Sequence, residues 1–374
     1  MANALLALED GSVWLGEPFG ADVPAEGEVV FNTSMTGYQE IATDPSYAGQ
    51  MVVLTHPQVG NYGVSPEASE SERPWIRAFI IRELSATYHH WAAQESLDAY
   101  LRRHGIPGIA GVDTRALVKR IRARGALRAV LRQKPGQWTA AEQARLVEAA
   151  RAVTPLSDLP LVAETSGYVE GVAQVTSRGD GPRVVVVDSG AKANIVRSLR
   201  RRGAQVLLVP WDTTFEQVRA LAPDGVLLTN GPGDPAQLPP LVKLARALLE
   251  HAVPTFGICL GHQVLGQAAG ATTSRLPYGH HGGNHPVLEL ETGKVTVTTQ
   301  NHEFQVDRSP ALEASGFWIS HVNLNDGSVE GLEHRELPAF SLQYHPEGFP
   351  GPQDSQPVFD RFLRLAASRS RGGA

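Results

Sequence analysis

The chain has 374 residues, of which 42% are hydrophobic and 19% charged, and its formal net charge is −6 at pH 7. This length favours two domains, and the slight acidic excess argues against nucleic acid as a partner. The single cysteine excludes an intramolecular disulfide and fits a reducing compartment. Because the N-terminal segment lacks the basic region of a signal peptide and no apolar run is long enough to span a bilayer, we expect a cytoplasmic protein without membrane segments.

Residues 1–154 are predicted to form a smaller mixed α/β domain. Its short apolar runs are typical of strands and precede two helical patterns, with strands at 28–34, 51–57 and 78–84 and helices at 96–105 and 113–125. Asp113 is a candidate N-cap, and Gly125 is a candidate end of the second helix. A polar, glycine-rich stretch then predicts a linker over 155–182.

Residues 183–374 predict an α/β domain with a doubly wound, mostly parallel sheet. The β-branched run "RVVVVD" (183–188) is typical of a strand buried on both faces. Strands and helices then alternate, with strands at 205–210, 225–230 and 254–258 and helices at 191–202, 213–221 and 238–252. Further strands are expected around 294–300 and 338–344, and a last helix near 355–369. Ligands of such folds bind beyond the carboxyl ends of the strands.

The segment Gly257-Ile258-Cys259-Leu260-Gly261 follows one of these strands and precedes a helical pattern. A sharp strand-to-helix turn would place Cys259 in a strained conformation above the sheet, and the flanking glycines would avoid collisions there. A helix N-terminus favours a thiolate, and the N–H of Leu260 could bind an oxyanion. We therefore interpret Cys259 as a nucleophile, the alternative being a buried core cysteine.

A thiol nucleophile needs a base and a group that orients the base. His345 and Glu347 lie two residues apart at the end of an apolar run, so that they can share one face of an extended segment. We take His345 as the candidate base and Glu347 as its orienting carboxylate, although Glu347 could also be a surface residue. The loop "NGPGDP" (230–235) could supply a second oxyanion donor, or it could be a plain tight turn.

Three of these motifs together resemble the class I (triad) glutamine amidotransferases, since "NGPGDP", "FGICLGHQ" and "QYHPE" occur in that family's order over about 183–370. The N-terminal half sharpens the resemblance. Its segments "LEDGSVWLGEPFG", "GEVVFNTSMTGYQEIATDPSYAGQ" and "HPQVGNYG" resemble the small-subunit family of carbamoyl phosphate synthetases. The resemblance covers nearly the whole chain.

The resemblance implies a catalytic triad of Cys259, His345 and Glu347. It also implies contacts to a glutamine substrate from Ser46, Gly231, Gly233, Leu260, Gln263, Asn301, Glu303 and Phe304. The chain departs from the family at Glu303, where the family has a glycine whose backbone contacts the substrate. A side chain is tolerated there if φ is negative and the side chain points outward.

The resemblance further implies a separate large subunit as partner, which would use ammonia from glutamine, together with ATP, magnesium and bicarbonate, to make carbamoyl phosphate for pyrimidine and arginine synthesis. This chain has no Walker-type loop, and no cofactor is expected on it. No metal is expected either, because His280, His281 and His285 lie in a glycine-rich segment, interpreted as a polar loop, without further ligands nearby.

Two alternatives differ in what they require of the sequence. Anthranilate or GMP amidotransferases and γ-glutamyl peptidases lack this N-terminal domain, so "NTSMTGYQE" argues against them. A catalytically weak or inactive regulatory subunit of the same fold is kept open by Glu303 alone.

Overall fold

Two strand-rich units make up the chain in the computed structural model, which describes residues 3–167, 174–175 and 180–372. The first unit is Met1–Leu159 with Pro277–Gly282, and the second is Pro160–Leu276 with Gly283–Ala374. The linker predicted over 155–182 falls partly outside the described residues, at 168–173 and 176–179. In the part of the chain that is described, no helix has both the length and the apolar character needed to cross a membrane.

The first unit is built on a barrel that its strands close in the order β1-β2-β8-β6-β4-β3-β9. Its strands are β1 Ala4–Leu8, β2 Val13–Gly20, β3 Ala25–Asn32, β4 Gln50–Leu54, β5 Gln58–Val59, β6 Ala78–Ile80, β7 Glu83–Leu84, β8 Pro107–Ala110 and β9 Leu127–Gln133. Its helices are α1 Tyr38–Thr43, α2 Leu97–Arg103, α3 Thr114–Arg124 and α4 Ala140–Arg151. Strands β3, β4, β6 and β8 pair in parallel, and the remaining barrel pairs are antiparallel.

Alternation along β1 shows how the barrel is filled. Leu6 and Leu8 pack into one buried cluster with residues of the other barrel strands, whereas Leu5 and Ala7 pack with Val147 on α4. A strand whose two faces are both covered has no need of polar alternation, and every residue of β1 is buried. The predicted N-cap is confirmed, because the Asp113 carboxylate accepts from the Ala116 N–H at 2.9 Å.

The second unit contains a large mixed sheet in the order β10-β12-β11-β13-β14-β19-β18-β17-β15-β16. Its strands are β10 Gln174–Val175, β11 Arg183–Asp188, β12 Gln205–Pro210, β13 Gly225–Leu228, β14 Thr255–Ile258, β15 Thr273–Glu289, β16 Val295–Val306, β17 Phe317–Asn323, β18 Val329–His334 and β19 Ala339–Leu342. Its helices are α5 Leu161–Thr165, α6 Ala193–Arg201, α7 Phe215–Ala220, α8 Pro239–Glu250, α9 Leu260–Ala268, α10 Pro310–Ala314 and α11 Pro357–Gly372.

The central strands β12, β11, β13, β14 and β19 pair in parallel, and β18 joins them antiparallel. Helices pack on both faces of these strands. Val184 and Val186 contribute to a cluster with α6 and α11, and Val185 and Val187 contribute to one with α8 and α9. The uninterrupted valine run of β11 thus reflects burial on both sides. Since parallel strands end at one edge, the loops after β11, β13, β14 and β19 are brought together there.

One expectation about the chain is wrong. The glycine- and histidine-rich segment 279–285 was interpreted as a polar loop, but it lies inside the long strand β15. Glycine and histidine have little intrinsic preference for strands, and hydrogen bonding to a neighbouring strand overrides a propensity of this size.

Candidate active site

Cys259 stands alone between β14 and α9, as the N-cap of that helix, with φ 53° and ψ −102°. An L-residue rarely adopts such a backbone, so the turn is strained, as the sequence pattern predicts. The Cys259 N–H donates to the Leu342 carbonyl of β19 at 2.9 Å, which ties the turn to the neighbouring strand. The thiol is buried, at 2% exposure, and lies 3.6 Å from the Asn301 carbonyl oxygen.

Close backbone approach explains the glycines that flank this turn. A Cβ at Gly257 would lie 2.5 Å from the Gly261 carbonyl oxygen, and a Cβ at Gly261 would lie 2.2 Å from the Leu228 carbonyl oxygen. Neither position has room for a side chain, because in each case the obstacle is backbone. Both glycines are therefore required for α9 to begin directly beneath the thiol.

His345 and Glu347 follow β19 at the same edge of the sheet, and both side chains are almost fully buried. His345 Nδ1 and Glu347 Oε1 are 2.7 Å apart. Burial by itself lowers the pKa of His345, but the Glu347 carboxylate and then the Cys259 thiol raise it by more, to about 10. A cationic imidazole between a carboxylate and a thiol is therefore favoured at neutral pH.

Lys192 extends this arrangement, and the sequence analysis did not single it out. Its Nζ lies 3.2 Å from Glu347 Oε1, and its side chain is 1% exposed. Burial raises the pKa of Glu347, but Lys192 and then His345 lower it by more, to about 2. The signal available in the sequence was its place just beyond β11, at the edge where the other motifs converge.

The loop after β13 lies against the start of α9. A Cβ at Gly231 would lie 2.1 Å from the Ser189 carbonyl oxygen and 2.8 Å from Leu260 Cδ2, while Gly233 has φ 88°. Among the described residues, the backbone N–H groups of Gly231 and Leu260 donate to no protein acceptor. Two unused donors near the thiol are what an oxyanion site requires.

Gln263, Asn301 and Phe304 are buried and are joined to Cys259 directly or through one another. Gln263 Nε2 donates to the Phe304 carbonyl at 2.7 Å and to Gln343 Oε1 at 3.2 Å. Both amide hydrogens of Gln263 thus have acceptors inside the protein, and its Oε1 is the atom left for another donor.

Glu303 differs from expectation in one respect. Its φ is not positive, as expected. Its side chain, however, is buried instead of pointing to solvent, and Oε2 lies 3.3 Å from Arg275 Nη2.

Ser46 belongs to the first unit, in the turn Pro45–Tyr47, where its N–H donates to Asp44 Oδ1 at 2.9 Å. Its contact with substrate stays a prediction.

Comparison with known proteins identifies two family models along the chain. Residues 6–131 match the carbamoyl-phosphate synthase small chain, CPSase domain, and residues 185–365 match the class-I glutamine amidotransferases. The "Carbamoyl phosphate synthase small chain" of Symbiobacterium thermophilum is 48% identical over 364 residues, covering 96% of this chain and 97% of the relative. The chain belongs to the carbamoyl phosphate synthase small-chain family.

Other small chains are similar over the same extent. That of Akkermansia muciniphila is 47% identical over 99% of both chains, and that of Methanopyrus kandleri is 46% identical over 97% of this chain and 99% of its own. The amidotransferase match ends beyond Glu347 and begins before Lys192, so all the residues that surround the thiol lie within it.

Proposed function

We propose that this chain hydrolyses glutamine as the glutaminase subunit of a carbamoyl phosphate synthetase, with Cys259, His345 and Glu347 as its catalytic residues. The observation that carries the proposal is the buried 2.7 Å contact between His345 and Glu347 at the sheet edge where a thiol occupies a strained turn. A nucleophile, a base and an orienting carboxylate are the three parts of a triad.

In the proposed reaction the Cys259 thiolate attacks the side-chain amide carbon of glutamine, and the carbonyl electrons move to oxygen to give a tetrahedral oxyanion. Collapse of this intermediate breaks the C–N bond, and the His345 imidazolium gives its proton to the departing nitrogen, which leaves as ammonia. Water, deprotonated by the neutral imidazole, then cleaves the glutamyl thioester to glutamate and regenerates the thiol.

The roles of the surrounding residues are assigned from the hydrogen-bond donors and acceptors that they have available for the substrate. The N–H groups of Leu260 and Gly231 would donate to the oxyanion, each such donor being worth about 10²–10³ in rate. Gln263 Oε1 would accept from the substrate, and Gly233, Asn301 and Phe304 would shape its pocket. Lys192 would hold Glu347 ionised and in place, so that the imidazole keeps its Nδ1 proton directed at the carboxylate.

The partner in this proposal is a large subunit that receives the ammonia and carries out the ATP-, magnesium- and bicarbonate-dependent steps, giving carbamoyl phosphate for pyrimidine and arginine synthesis. It rests on the name shared by relatives that match nearly the whole chain. The proposal also includes an N-terminal domain over 1–154, a linker over 155–182 and an amidotransferase domain over 183–374. The sheet of that last domain is proposed to be doubly wound and mostly parallel, and no cofactor is proposed on this chain.

Ammonia release from glutamine, measured with and without the large subunit, tests the proposal in wild type and in Cys259→Ser, which changes a single atom. Wild type should release ammonia, more rapidly with the partner, and the variant should lose at least about 10³-fold. Intact-mass analysis should show a glutamyl adduct in wild type and none in Cys259→Ser. Absence of ammonia from the wild-type complex would instead favour an inactive regulatory subunit.

A further inference from the structure

The segment Asn301–Phe304 of β16 contacts the thiol and its helix through the backbone carbonyl groups of its first and last residues. The Asn301 carbonyl oxygen lies 3.6 Å from Cys259 Sγ, and the Phe304 carbonyl oxygen accepts from Gln263 Nε2 at 2.7 Å. The Phe304 oxygen also lies 2.7 Å from His302 Nδ1. The position of this short segment therefore determines where one wall of the thiol site stands.

Glu303 lies inside this segment and is 6% exposed, whereas its partner Arg275, on the adjacent strand β15, is 33% exposed. Oε2 of Glu303 and Nη2 of Arg275 are 3.3 Å apart. An ionised carboxylate removed from water requires a compensating cation or hydrogen bonds, because its desolvation is costly. The arginine, by contrast, keeps part of its hydration.

We propose that the Glu303–Arg275 pair is a positioning clamp that fixes Asn301–Phe304 against Cys259 and Gln263 and thereby sets the affinity for glutamine. The inference rests on the proposed glutaminase function and adds Arg275 to it. The pair acts through the backbone of Asn301–Phe304, so both are positioning residues, and they act on KM more than on kcat.

Unequal burial makes the clamp distinguishable from an ordinary surface ion pair. In Arg275→Gln the buried Glu303 carboxylate loses this cation, which raises the cost of its desolvation and favours a shift of the strand that hydrates it. In Glu303→Gln the buried charge is removed, the arginine keeps the hydration of its exposed part, and an amide can still bond to its neighbours. We therefore expect kcat/KM to fall about tenfold in Arg275→Gln, mostly through KM, and less than about threefold in Glu303→Gln.

The double variant decides the question, because removing the carboxylate should relieve the damage caused by removing the arginine. Arg275→Gln/Glu303→Gln is expected within about threefold of wild type. Arg275→Lys, which keeps the charge, should restore most of the affinity. Arg361→Gln is the control, since Arg361 is similarly exposed to Arg275 but pairs with the partly exposed Glu333, so that its loss should leave the KM for glutamine unchanged.

All variants are assayed for ammonia release in complex with the large subunit, and their folding is followed by calorimetry. A wild-type KM in Arg275→Gln would overturn the clamp, and so would a double variant weaker than Arg275→Gln. If Arg275→Gln does not fold, recovery of folding and of KM in the double variant supports the clamp, and failure to recover overturns it. Absence of activity in wild type would refute the proposed function instead, before any variant is compared.

Discussion

Lys192 and Glu347 form an ion pair in which both side chains are withdrawn from solvent, with Nζ 3.2 Å from Oε1. The same ammonium donates to the carbonyl groups of Gly348 and Phe349 at 2.6 and 2.7 Å. Its own backbone N–H donates to Asn230 Oδ1 at 3.1 Å, on the loop after β13. One lysine thus joins the loops that follow three different strands and fixes the carboxylate that orients His345.

Lys192→Met should therefore damage both folding and catalysis. Removing one partner of a buried pair leaves the other charge uncompensated, which costs about 3–5 kcal/mol in the free energy of unfolding. With Glu347 no longer held, we expect kcat/KM for glutamine to fall at least about tenfold, as measured by ammonia release beside a thermal melt. Lys192→Arg keeps the charge and should lose less stability. An unchanged melt and unchanged kinetics in Lys192→Met would show that the pair is dispensable.

The raised pKa of His345 predicts how stability depends on pH. A histidine whose pKa rises on folding, here from 6.5 to about 10, contributes stability that is complete below pH 6.5 and is lost as pH rises towards 10. The melting temperature of wild type should therefore fall as pH rises from 6.5 to 10, and that of His345→Asn should fall less over the same pH range. Equal losses in both proteins would contradict a cationic His345.

His262 provides the control for that titration. It lies three residues after Cys259 and is fully buried, with Nδ1 2.9 Å from Ser341 Oγ. Burial, and then His321, lower its pKa to about 3, so that it is neutral at pH 7. His262→Asn should change the melting temperature by nearly the same amount at pH 7 and at pH 9.5, because this group is neutral in the folded chain and mostly neutral in the unfolded chain over that range.

Alanine at Gly257 or Gly261, the two glycines of the strand-to-helix elbow around Cys259, should disturb the start of α9. The new Cβ would lie 2.5 Å from backbone oxygen in Gly257→Ala and 2.2 Å in Gly261→Ala, so we expect destabilisation of about 1–3 kcal/mol and a loss of ammonia release in both. Gly167→Ala is the control, because its nearest neighbour, the Thr165 carbonyl oxygen, is 3.8 Å away. Full activity with an unchanged melt in Gly261→Ala would mean that the turn relaxes freely.

Gln263→Glu tests whether the Nε2 donor of Gln263 holds this side chain, and with it Oε1, in place for the substrate. The change replaces Nε2, which donates to the Phe304 carbonyl at 2.7 Å, by an oxygen that cannot donate when ionised. We expect the KM for glutamine to rise about tenfold, with a smaller change in kcat. Gln267→Glu is matched to it, since Gln267 Nε2 bonds to the Thr273 hydroxyl, which can donate to a carboxylate instead. A KM that rises equally in both variants would contradict a specific role for Gln263.

Hydrophobic patterns and the signals that end helices and strands were sufficient to predict the strands of the parallel core in the second unit. The predicted strands at 183–188 and 205–210 coincide with β11 and β12, because uninterrupted β-branched runs occur where both faces are covered. Strands β1 and β2 were not predicted from the sequence, although a turn containing Gly11 joins them, because β1 is apolar at every position and β2 carries exposed and buried residues without regular alternation. The closure of the barrel depends on pairings between residues more than 100 apart, such as Leu6 with Leu131, which local patterns do not encode.

The elbow and the His345–Glu347 spacing could be predicted because each is a local motif with a mechanical reason. Lys192 and Arg275 could not, since their partners lie 155 and 28 residues away and only the fold brings them together. Basic residues are common on surfaces, and a position just beyond a buried strand does not by itself mark Lys192 as one that is withdrawn from water.

Because the chain has a single thiol, chemical modification of Cys259 reports directly on the opening of the site around it. Any cysteine-directed reagent can modify one atom only, and at 2% exposure that atom reacts only when the protein opens around it. The alkylation rate of the native chain, divided by that of the unfolded chain and corrected for the thiolate fraction of each, thus measures the fraction of time during which the site is open. Alkylation rates measured with a small and with a bulky reagent, in the presence and absence of the partner subunit, would show how far the site opens and whether the partner changes that opening.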